Sequence, residues 1–207
     1  MREAILDQIC ILRGSPHRRG STNSLLAPVQ ETFQAAGRRS VSYDLYHMQL
    51  QPCLGCRRCQ EDWTRPYCMQ RDEMPILFEA VLNSRLLLLA TPIYSWYCTP
   101  PLKTALDRLD YAMNKVFGPD RGPSLWRGRS LATVTVSGPP EDDGADLWDQ
   151  GLARYCAHSG LEYLGMLCEQ HPGSGVPFMD DDRAGRARAF ARGLLDKLDA
   201  RDLYVRR

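Results

Sequence analysis

Residues 4–36 read AILDQICILRGSPHRRGSTNSLLAPVQETFQAA, and the order of segments in this stretch decides the fold class. Residues 4–12 form an apolar run with the length and composition of a buried β-strand. A loop rich in Gly, Ser and Arg follows, and residues 23–36 then place their apolar side chains on one face at helical spacing. A buried strand, a tight loop and an amphipathic helix in this order indicate the start of a βαβ unit.

The rest of the chain repeats this alternation. Strands are predicted at residues 4–12, 40–45, 85–90, 130–136 and 161–168, and helices at residues 23–36, 72–83, 102–112, 147–158 and 184–198. Five strands interleaved with helices indicate an α/β fold with a doubly wound parallel sheet, for which the strand order 2-1-3-4-5 is the flavodoxin-like solution. We expect one domain over residues 1–207, with a cysteine-rich loop at residues 52–69.

Composition excludes several classes of protein. The chain has 207 residues, 43% of them apolar and 25% charged, which is ordinary for a globular protein. A formal net charge of +1 gives no general attraction to nucleic acid. The longest apolar run, residues 86–90, is far shorter than the roughly 20 residues of a membrane helix. Because no cleavable signal pattern opens the chain, we expect a cytoplasmic protein without nucleic-acid or membrane partners.

The loop after the first predicted strand has the features of a phosphate site. Gly14 and Gly20 permit tight turns, hydroxyl side chains follow, and the next helix directs free N–H groups and its positive dipole end into the loop. The glycines are one residue too far apart for a triphosphate loop, and no Lys follows Gly20. The pattern therefore favours a terminal monophosphate. The alternative is that Ser21 or Thr22 caps a helix after an ordinary turn.

The loop after the third predicted strand carries aromatic side chains at the same edge of the sheet. Tyr94, Trp96 and Tyr97 offer flat faces to a planar ring, and a Thr followed by two prolines begins the next helix. The alternative is that these aromatics serve packing or an interface. Their position beside a phosphate loop favours a ligand that has both a phosphate and a ring.

Three motifs in one order resemble the NAD(P)H-dependent FMN reductase and iron–sulfur flavoprotein family: GSPHRRGSTNSLL at residues 14–26, PCLGCRRC at 52–59 and TPIYSWYCTPPLKTALDR at 91–108. The similarity runs over residues 5–137. It implies FMN as cofactor and NAD(P)H as co-substrate. It implies phosphate contacts at Ser15, His17, Ser21, Thr22 and Asn23, and ring contacts at Pro92, Ile93, Tyr94, Ser95, Trp96, Ser137 and Gly138.

The chain departs from the family pattern in two places. The family often has Arg where this chain has His17, and we expect Arg18 to supply that positive charge at the phosphate. The loop after the fourth predicted strand, residues 137–144, reads SGPPEDDG and is more acidic and richer in proline than usual. This composition affects the expected ring contacts at Ser137 and Gly138.

The cysteines at Cys53, Cys56, Cys59 and Cys68 follow the second predicted strand with two, two and eight residues between them. Four thiolates at such spacings hold iron–sulfur clusters, and the iron–sulfur flavoproteins have a compact arrangement of this kind. Zinc also accepts four thiolates, although it more often uses two separated C-x2-C pairs. Three alternatives therefore stand: a [4Fe-4S] cluster, zinc, or free thiols without metal.

The resemblance implies an FMN-dependent oxidoreductase that passes electrons from NAD(P)H through FMN to a quinone-like or other small acceptor. Since the flavin carries the chemistry, we expect no catalytic acid–base residue. One alternative is an iron–sulfur electron carrier that works with a redox protein partner. Another is a flavodoxin-like domain whose site has a binding or regulatory role. We expect a homodimer or higher homo-oligomer.

Overall fold

The computed structural model describes residues 8–205, and side chains as far as Arg201. Five strands form one sheet in the order β2-β1-β3-β4-β5, and every neighbouring pair is parallel. The strands are β1 (Gln8–Arg13), β2 (Ser40–Asp44), β3 (Ser84–Pro92), β4 (Ser130–Ser137) and β5 (Glu162–Gln170). Because all strands run the same way, their carboxyl ends lie at one edge of the sheet.

Helices make the connections between the strands. They are α1 (Ser21–Ala35), α2 (Met74–Leu82), α3 (Pro100–Met113), α4 (Glu141–Gly144), α5 (Asp146–Ser159) and α6 (Asp181–Val205). Two short 3-10 turns, Leu45–His47 and Arg58–Gln60, lie between β2 and α2. Within residues 8–205, no helix is both long enough and apolar enough to cross a lipid bilayer.

The helices cover both faces of the sheet, and the alternation of side chains along each strand supplies both cores. On β3, Leu87 and Leu89 pack with α2, α3 and α5, whereas Leu86 and Leu88 pack with α1 and α6. Burial of each leucine side chain stabilises the fold by about 1.5–3 kcal/mol. A central strand that is apolar at successive positions therefore requires a helical layer on each side.

The structure confirms the predicted fold class and strand order. Helix α3 begins at Pro100, two residues before the predicted start, because a proline at the first helical position lacks an N–H that the helix would leave unpaired. Residues 141–144, predicted as loop, form the short helix α4. Residues 4–7 of the first predicted strand lie outside the described residues.

The direction in which successive strands are added to the sheet reverses between β1 and β3. From β1 the chain runs to β2 on one side, and from β2 it returns to β3 on the other side of β1. In open α/β sheets the crevice outside the carboxyl ends at such a point is where ligands bind. The loops after β1 and β3 meet at this crevice.

Candidate functional site

A cavity of about 280 Å³ lies at the carboxyl edge of the sheet. Its walls come from the loops that follow β1, β3, β4 and β5. The lining residues are Ser15, His17, Gly20, Ser21, Thr22, Pro92, Ile93, Tyr94, Val136, Ser137, Gly138 and His171. The cavity thus joins the predicted phosphate loop to the two loops predicted to contact a ring.

The phosphate loop is folded around one carbonyl group. The His17 oxygen accepts hydrogen bonds from the Gly20 N–H at 3.0 Å and from Asn23 Nδ2 at 2.9 Å. Ser15 Oγ accepts a further bond from the His17 N–H at 3.3 Å. Because the polar groups of the loop bond inward to His17, the first turn of α1 remains open toward the cavity.

The N-terminus of α1 is uncapped. Gly20 is the N-cap residue, and within residues 8–205 no side-chain hydrogen bond caps the helix. These groups have no partner within a helix, and they carry the positive end of the helix dipole. The hydroxyl-bearing residues Ser15 and Thr22 are buried beside this turn. The arrangement presents hydrogen-bond donors and positive potential to an anion.

Two of the residues predicted at the phosphate point elsewhere. Arg18 Nε lies 3.4 Å from Asp44 Oδ2 at the end of β2, and Asp44 also contacts Arg13 at 3.3 Å. Asn23 supports the loop through His17 rather than lining the cavity, and its buried Oδ1 has no hydrogen-bond partner in the part of the chain that the structure describes. The positive charge of Arg18 therefore lies on the β2 side of the loop.

The loop after β3 forms a tight turn. Tyr94 and Tyr97 exchange two backbone hydrogen bonds, of 2.8 and 3.0 Å, and the two residues between them are left-handed, with φ of 49° at Ser95 and 63° at Trp96. Non-glycine residues rarely adopt this conformation, and it is strained. Tyr94 lines the cavity, whereas Ser95 and Trp96 lie outside its lining. Trp96 Nε1 instead donates to the Asp143 carbonyl at 2.9 Å, which joins the turn to α4.

The loop after β4 is closed by its own hydrogen bonds. Ser137 Oγ donates to the Pro139 carbonyl at 2.7 Å, and the Gly144 N–H donates to the Pro140 carbonyl at 2.8 Å. Burial raises the pKa of Glu141 in α4, and nearby carboxylates raise it further. The acidic residues of α4 thus follow the loop after β4 and lie outside the cavity lining.

The four clustered cysteines lie in a separate region, between β2 and α2. Cys53 and Cys56 are exposed, whereas Cys59 and Cys68 are half-buried, and burial raises the pKa of Cys59. All four line one small cavity, together with Arg108 and other residues. Among residues 8–205, no group of three or more His, Cys, Asp and Glu side chains is positioned to hold a metal ion.

The chain secures this cysteine loop through an ion pair. Arg108 Nη2 donates to Asp72 Oδ1 at 2.9 Å, and Nη1 donates to Asp72 Oδ2 and to the Gln51 carbonyl, the latter at 3.0 Å. The side chains of Arg108 and Asp72 are only 1% and 4% exposed. The ion pair therefore ties both ends of the loop to α3.

Two further buried polar side chains hold the middle of the cysteine loop. Gln60 donates to the Asn114 carbonyl and accepts from the Val116 N–H, both at 2.9 Å. Lys115 Nζ donates to the Cys59 carbonyl at 2.6 Å. These bonds satisfy backbone groups that would otherwise be buried without partners.

Comparison with known proteins identifies the family. The sequence profile described as NADPH-dependent FMN reductase matches residues 8–145. This chain belongs to the NADPH-dependent FMN reductase family. The flavodoxin-like fold of this family accounts for the cavity at the carboxyl edge of the sheet.

Individual relatives agree with this assignment. An iron–sulfur flavoprotein of Archaeoglobus fulgidus is 28% identical over 96 residues, which are 46% of this chain and 42% of that protein. The aligned part thus spans less than half the length of that relative. Among solved structures, the NAD(P)H:quinone oxidoreductase of Methanothermobacter marburgensis superposes with a TM-score of 0.64 at 22% identity, covering 90% of this chain and 98% of that one.

A second solved structure shows the same fold. RosB, with a bound 8-demethyl-8-formylriboflavin-5'-phosphate, superposes with a TM-score of 0.64 at 16% identity, covering 96% of this chain and 86% of that one.

The FMN reductase cavity fits a flavin mononucleotide. An uncapped helix N-terminus with buried hydroxyls suits the phosphate. A Cβ added at Gly20 would lie 2.9 Å from His17 Cβ, so the loop has no room for a larger residue there.

Sequence reasoning did not identify all of the lining. Gly20, Val136 and His171 line the cavity although they were not among the predicted contacts. His171 follows β5, which runs two residues beyond its predicted end at residue 168. Arg108 falls within the predicted helix at residues 102–112, but its buried contact with the cysteine loop depends on tertiary packing.

Proposed function

We propose that this FMN reductase passes electrons from NAD(P)H, through FMN held in the carboxyl-edge cavity, to a quinone-like or other small acceptor. The supporting observation is that one cavity joins the uncapped N-terminus of α1 to the loops after β3 and β4. The FMN phosphate would bind at the N-terminus of α1, and the flavin ring would bind between the loops after β3 and β4. When bound, FMN supplies the redox chemistry by accepting a hydride from NAD(P)H and returning electrons to the acceptor.

The residues at the phosphate end have binding roles in this proposal. The hydroxyl groups of Ser15, Ser21 and Thr22 and the first-turn N–H groups of α1 donate hydrogen bonds to the phosphate. His17 and Asn23 hold the loop in shape through the His17 carbonyl. Arg18, whose side chain is 66% exposed beside Asp44, adds long-range positive charge.

The residues at the other end orient the ring. Pro92, Ile93 and Tyr94 line one wall, and Ser137 and Gly138 line the wall after β4. Ser95 and Trp96 frame the entrance. Tyr94 and Trp96 are 45% and 55% exposed, so the entrance is open to solvent. An open ring face admits a nicotinamide or a flat quinone in turn, and we therefore expect ping-pong kinetics.

Flavin titration tests the binding part of the proposal. Fluorescence titration should show tight FMN binding and much weaker riboflavin binding, because riboflavin lacks the phosphate. Changing Ser15 and Thr22 together to Ala should weaken FMN by about 1.5–3 kcal/mol for each bond to the charged phosphate, and leave riboflavin unchanged. Equal affinities of the wild-type protein for the two flavins would contradict the assignment of the phosphate loop.

Anaerobic reduction tests the turnover part. NADH or NADPH should bleach the flavin absorbance, and steady-state plots at several acceptor concentrations should give parallel lines. Intersecting lines would show a ternary complex and would contradict the shared-face mechanism. No bleaching with either nucleotide would contradict the proposed donor.

A second candidate function is an iron–sulfur electron carrier, and one observation favours it. All four clustered cysteines line the same cavity, and the buried Arg108 lines it too. Among residues 8–205 these side chains are not placed to hold a metal ion as they stand, so either a cluster or zinc would bind only after the loop that carries Cys53 and Cys56 rearranges. In this role a redox protein would be the partner.

Single substitutions distinguish the cluster from free thiols. If Cys53, Cys56, Cys59 and Cys68 share a cluster, each Cys→Ser change should remove most of the iron from anaerobically purified protein. Cys156→Ser is the matched control, because Cys156 is a buried residue of α5 outside the cysteine loop, so this change should leave the iron content unchanged. Absence of iron from the wild-type protein would contradict the carrier function.

We also propose that the protein is a cytoplasmic homodimer or higher homo-oligomer. Exposed apolar side chains support an assembly, because Leu54, Tyr67 and Met69 on the cysteine loop are all accessible. Sedimentation of the FMN-loaded protein at several concentrations tests this, and a monomer at every concentration would contradict it.

A further inference from the structure

His171 stands directly after β5 on the wall of the FMN reductase cavity. Its backbone N–H donates to the Ser137 carbonyl at 2.8 Å, which fixes the residue beside the end of β4. Its position follows from the strand order, because β5 is the next strand after β4 in the sheet. His171 is therefore part of the same wall as Ser137 and Gly138.

The hydrogen bonding of the ring decides which nitrogen carries the proton. His171 Nδ1 accepts a hydrogen bond from the Gly173 N–H at 3.1 Å. A neutral imidazole has one donor and one acceptor nitrogen, so a ring that accepts at Nδ1 carries its hydrogen on Nε2. Gly173 has a φ of 106°, a conformation that glycine adopts without strain.

The ring is also held in its plane. It stacks on the buried ring of Phe178, with centroids 5.9 Å apart and planes 16° from parallel. Arg183 packs over the same Phe178 ring, 5.3 Å from its centroid, and pairs with Glu169 at 3.5 Å. The orientation of the imidazole is thus fixed by Gly173 and Phe178, both in the loop between β5 and α6.

Within residues 8–205, Nε2 of His171 has no hydrogen-bond partner, although the backbone N–H and Nδ1 of the same residue are both satisfied. Two contacts therefore orient the ring, the bond at Nδ1 and the stack on Phe178, and the remaining donor has no partner among the described residues. A donor held this way is suited to an acceptor on a ligand.

We propose that His171 Nε2–H donates a hydrogen bond to a carbonyl on the pyrimidine edge of the FMN ring. The inference rests on the proposed function, in which the phosphate lies at α1. Strand order then places His171 at the end of the cavity farthest from the phosphate loop, beyond the walls from β3 and β4. The pyrimidine edge is the part of the ring with carbonyl acceptors, and reduction adds negative charge there, which a donor stabilises.

Substitution of His171 by either of two amide residues distinguishes the roles of its two ring nitrogens. Asparagine places its amide oxygen near the position of Nδ1, so His171→Asn keeps an acceptor for the Gly173 N–H but has no donor at the position of Nε2. Glutamine reaches the position of Nε2 with its amide nitrogen, so His171→Gln keeps the donor but not the acceptor. His171→Ala removes both. The three variants are compared with the wild type by flavin titration, spectroelectrochemical reduction of the FMN-loaded protein and thermal unfolding of the apoprotein.

The proposal predicts that the three variants rank in one order for flavin affinity and flavin potential, and in a different order for apoprotein melting. His171→Asn and His171→Ala should bind both FMN and riboflavin roughly three- to tenfold more weakly, the loss of one hydrogen bond, and should shift the flavin potential to more negative values. His171→Gln should stay close to the wild type in both properties. Apoprotein melting should rank the other way, with His171→Asn close to the wild type and His171→Gln lowered.

The outcomes separate this inference from the function on which it rests. If affinity and potential follow apoprotein melting across all three variants, His171 only supports the loop and the inference is wrong. The wild-type preference for FMN over riboflavin reports on the phosphate loop and does not depend on His171. A wild-type protein that binds neither flavin would overturn the proposed function and this inference together.

Discussion

The flavin cavity and the cysteine loop differ in how the chain treats their polar groups. At the cavity, the first-turn N–H groups of α1 and His171 Nε2 have no partner among the described residues. At the cysteine loop, Gln60 bonds several backbone groups and Arg108 bonds Asp72 and the Gln51 carbonyl, although Arg108 Nε has no hydrogen-bond partner among the same residues. The polar groups of the second region thus bond mainly within the protein, whereas those of the first region are available to the flavin that we propose.

The largest expected effect tests whether the protein alone holds the cysteine loop. Arg108→Ala leaves Asp72 buried without its partner, so the free energy of unfolding in urea should fall by about 3–5 kcal/mol. Lys103→Ala is the matched control on the same helix, because it breaks an exposed pair with Asp107, 46% and 43% accessible, and should cost less than about 0.5 kcal/mol. Equal losses in the two variants would show that the loop does not depend on Arg108.

Acid should weaken the same ion pair. Burial acts to raise the pKa of Asp72, but hydrogen bonds from Arg108 and from the Gln51 and Met74 N–H groups outweigh it and hold the pKa below its ordinary value of 3.8. As the pH falls below that value, the unfolded chain binds the proton first, and the stabilisation is lost as the pH passes the folded-state pKa. The gap in urea stability between wild type and Asp72→Asn should therefore be largest near neutrality and narrow below about pH 4. A gap that is constant with pH would contradict this.

A smaller effect tests whether the phosphate loop contributes more to FMN binding than to the stability of the apoprotein. Gly20→Ala would place a Cβ 2.9 Å from His17 Cβ and 3.2 Å from the His17 oxygen, so the phosphate loop must shift. We expect FMN affinity to fall about tenfold, or about 1.4 kcal/mol, while apoprotein stability falls by less than that.

Gly193→Ala is the control for this glycine. A Cβ there meets nothing within 4 Å, and alanine in the helix interior should raise stability by about 0.5–1 kcal/mol without changing FMN affinity. If Gly20→Ala unfolds the apoprotein instead of weakening FMN, the phosphate loop is a structural element and the contrast with the cysteine loop is lost.

The sequence allowed the loops of the flavin cavity to be predicted, but not the residues that hold the cysteine loop. The fold and the loops after β1 and β3 follow from local patterns, namely apolar runs, helical spacing and turn residues, and each pattern lies within about fifteen residues of sequence. The partners of the cysteine loop are distant in sequence, because Arg108 is separated by 36 residues from Asp72 and Lys115 by 56 from Cys59. A charged residue inside an amphipathic helix gives no local sign that it will be buried.

His171 shows the same limit at the cavity. Strand β5 continues to Gln170 because the half-exposed strand pairs with β4 to its end, and Glu169 is covered there by Arg186 with bonds of 2.6 and 2.9 Å. An acidic residue and a polar one at the end of a predicted strand indicate a loop when they are considered alone. The signal available in the sequence was the pair of glycines at 173 and 175, which marks a turn at the carboxyl edge.

The smallest expected effect concerns the bond that joins the loops after β3 and β4. Trp96 contacts Asp143 through Nε1, lies outside the cavity lining and is 55% exposed. Trp96→Ala should change turnover and acceptor preference more than FMN affinity, because the phosphate loop still anchors the cofactor. Trp96→Phe keeps a flat ring but removes the N–H, at a cost of about 0.5–1.5 kcal/mol. We expect kcat/KM for a quinone acceptor to fall about threefold in this variant as well.

The comparison of the two variants shows which part of Trp96 governs the choice of acceptor. A phenylalanine variant equal to the wild type would mean that the ring face, rather than the bond to Asp143, governs it. Loss of FMN in both variants without a change of acceptor preference would instead make Trp96 part of the cofactor anchor, and the contrast between an anchored phosphate and an open ring end would then be wrong.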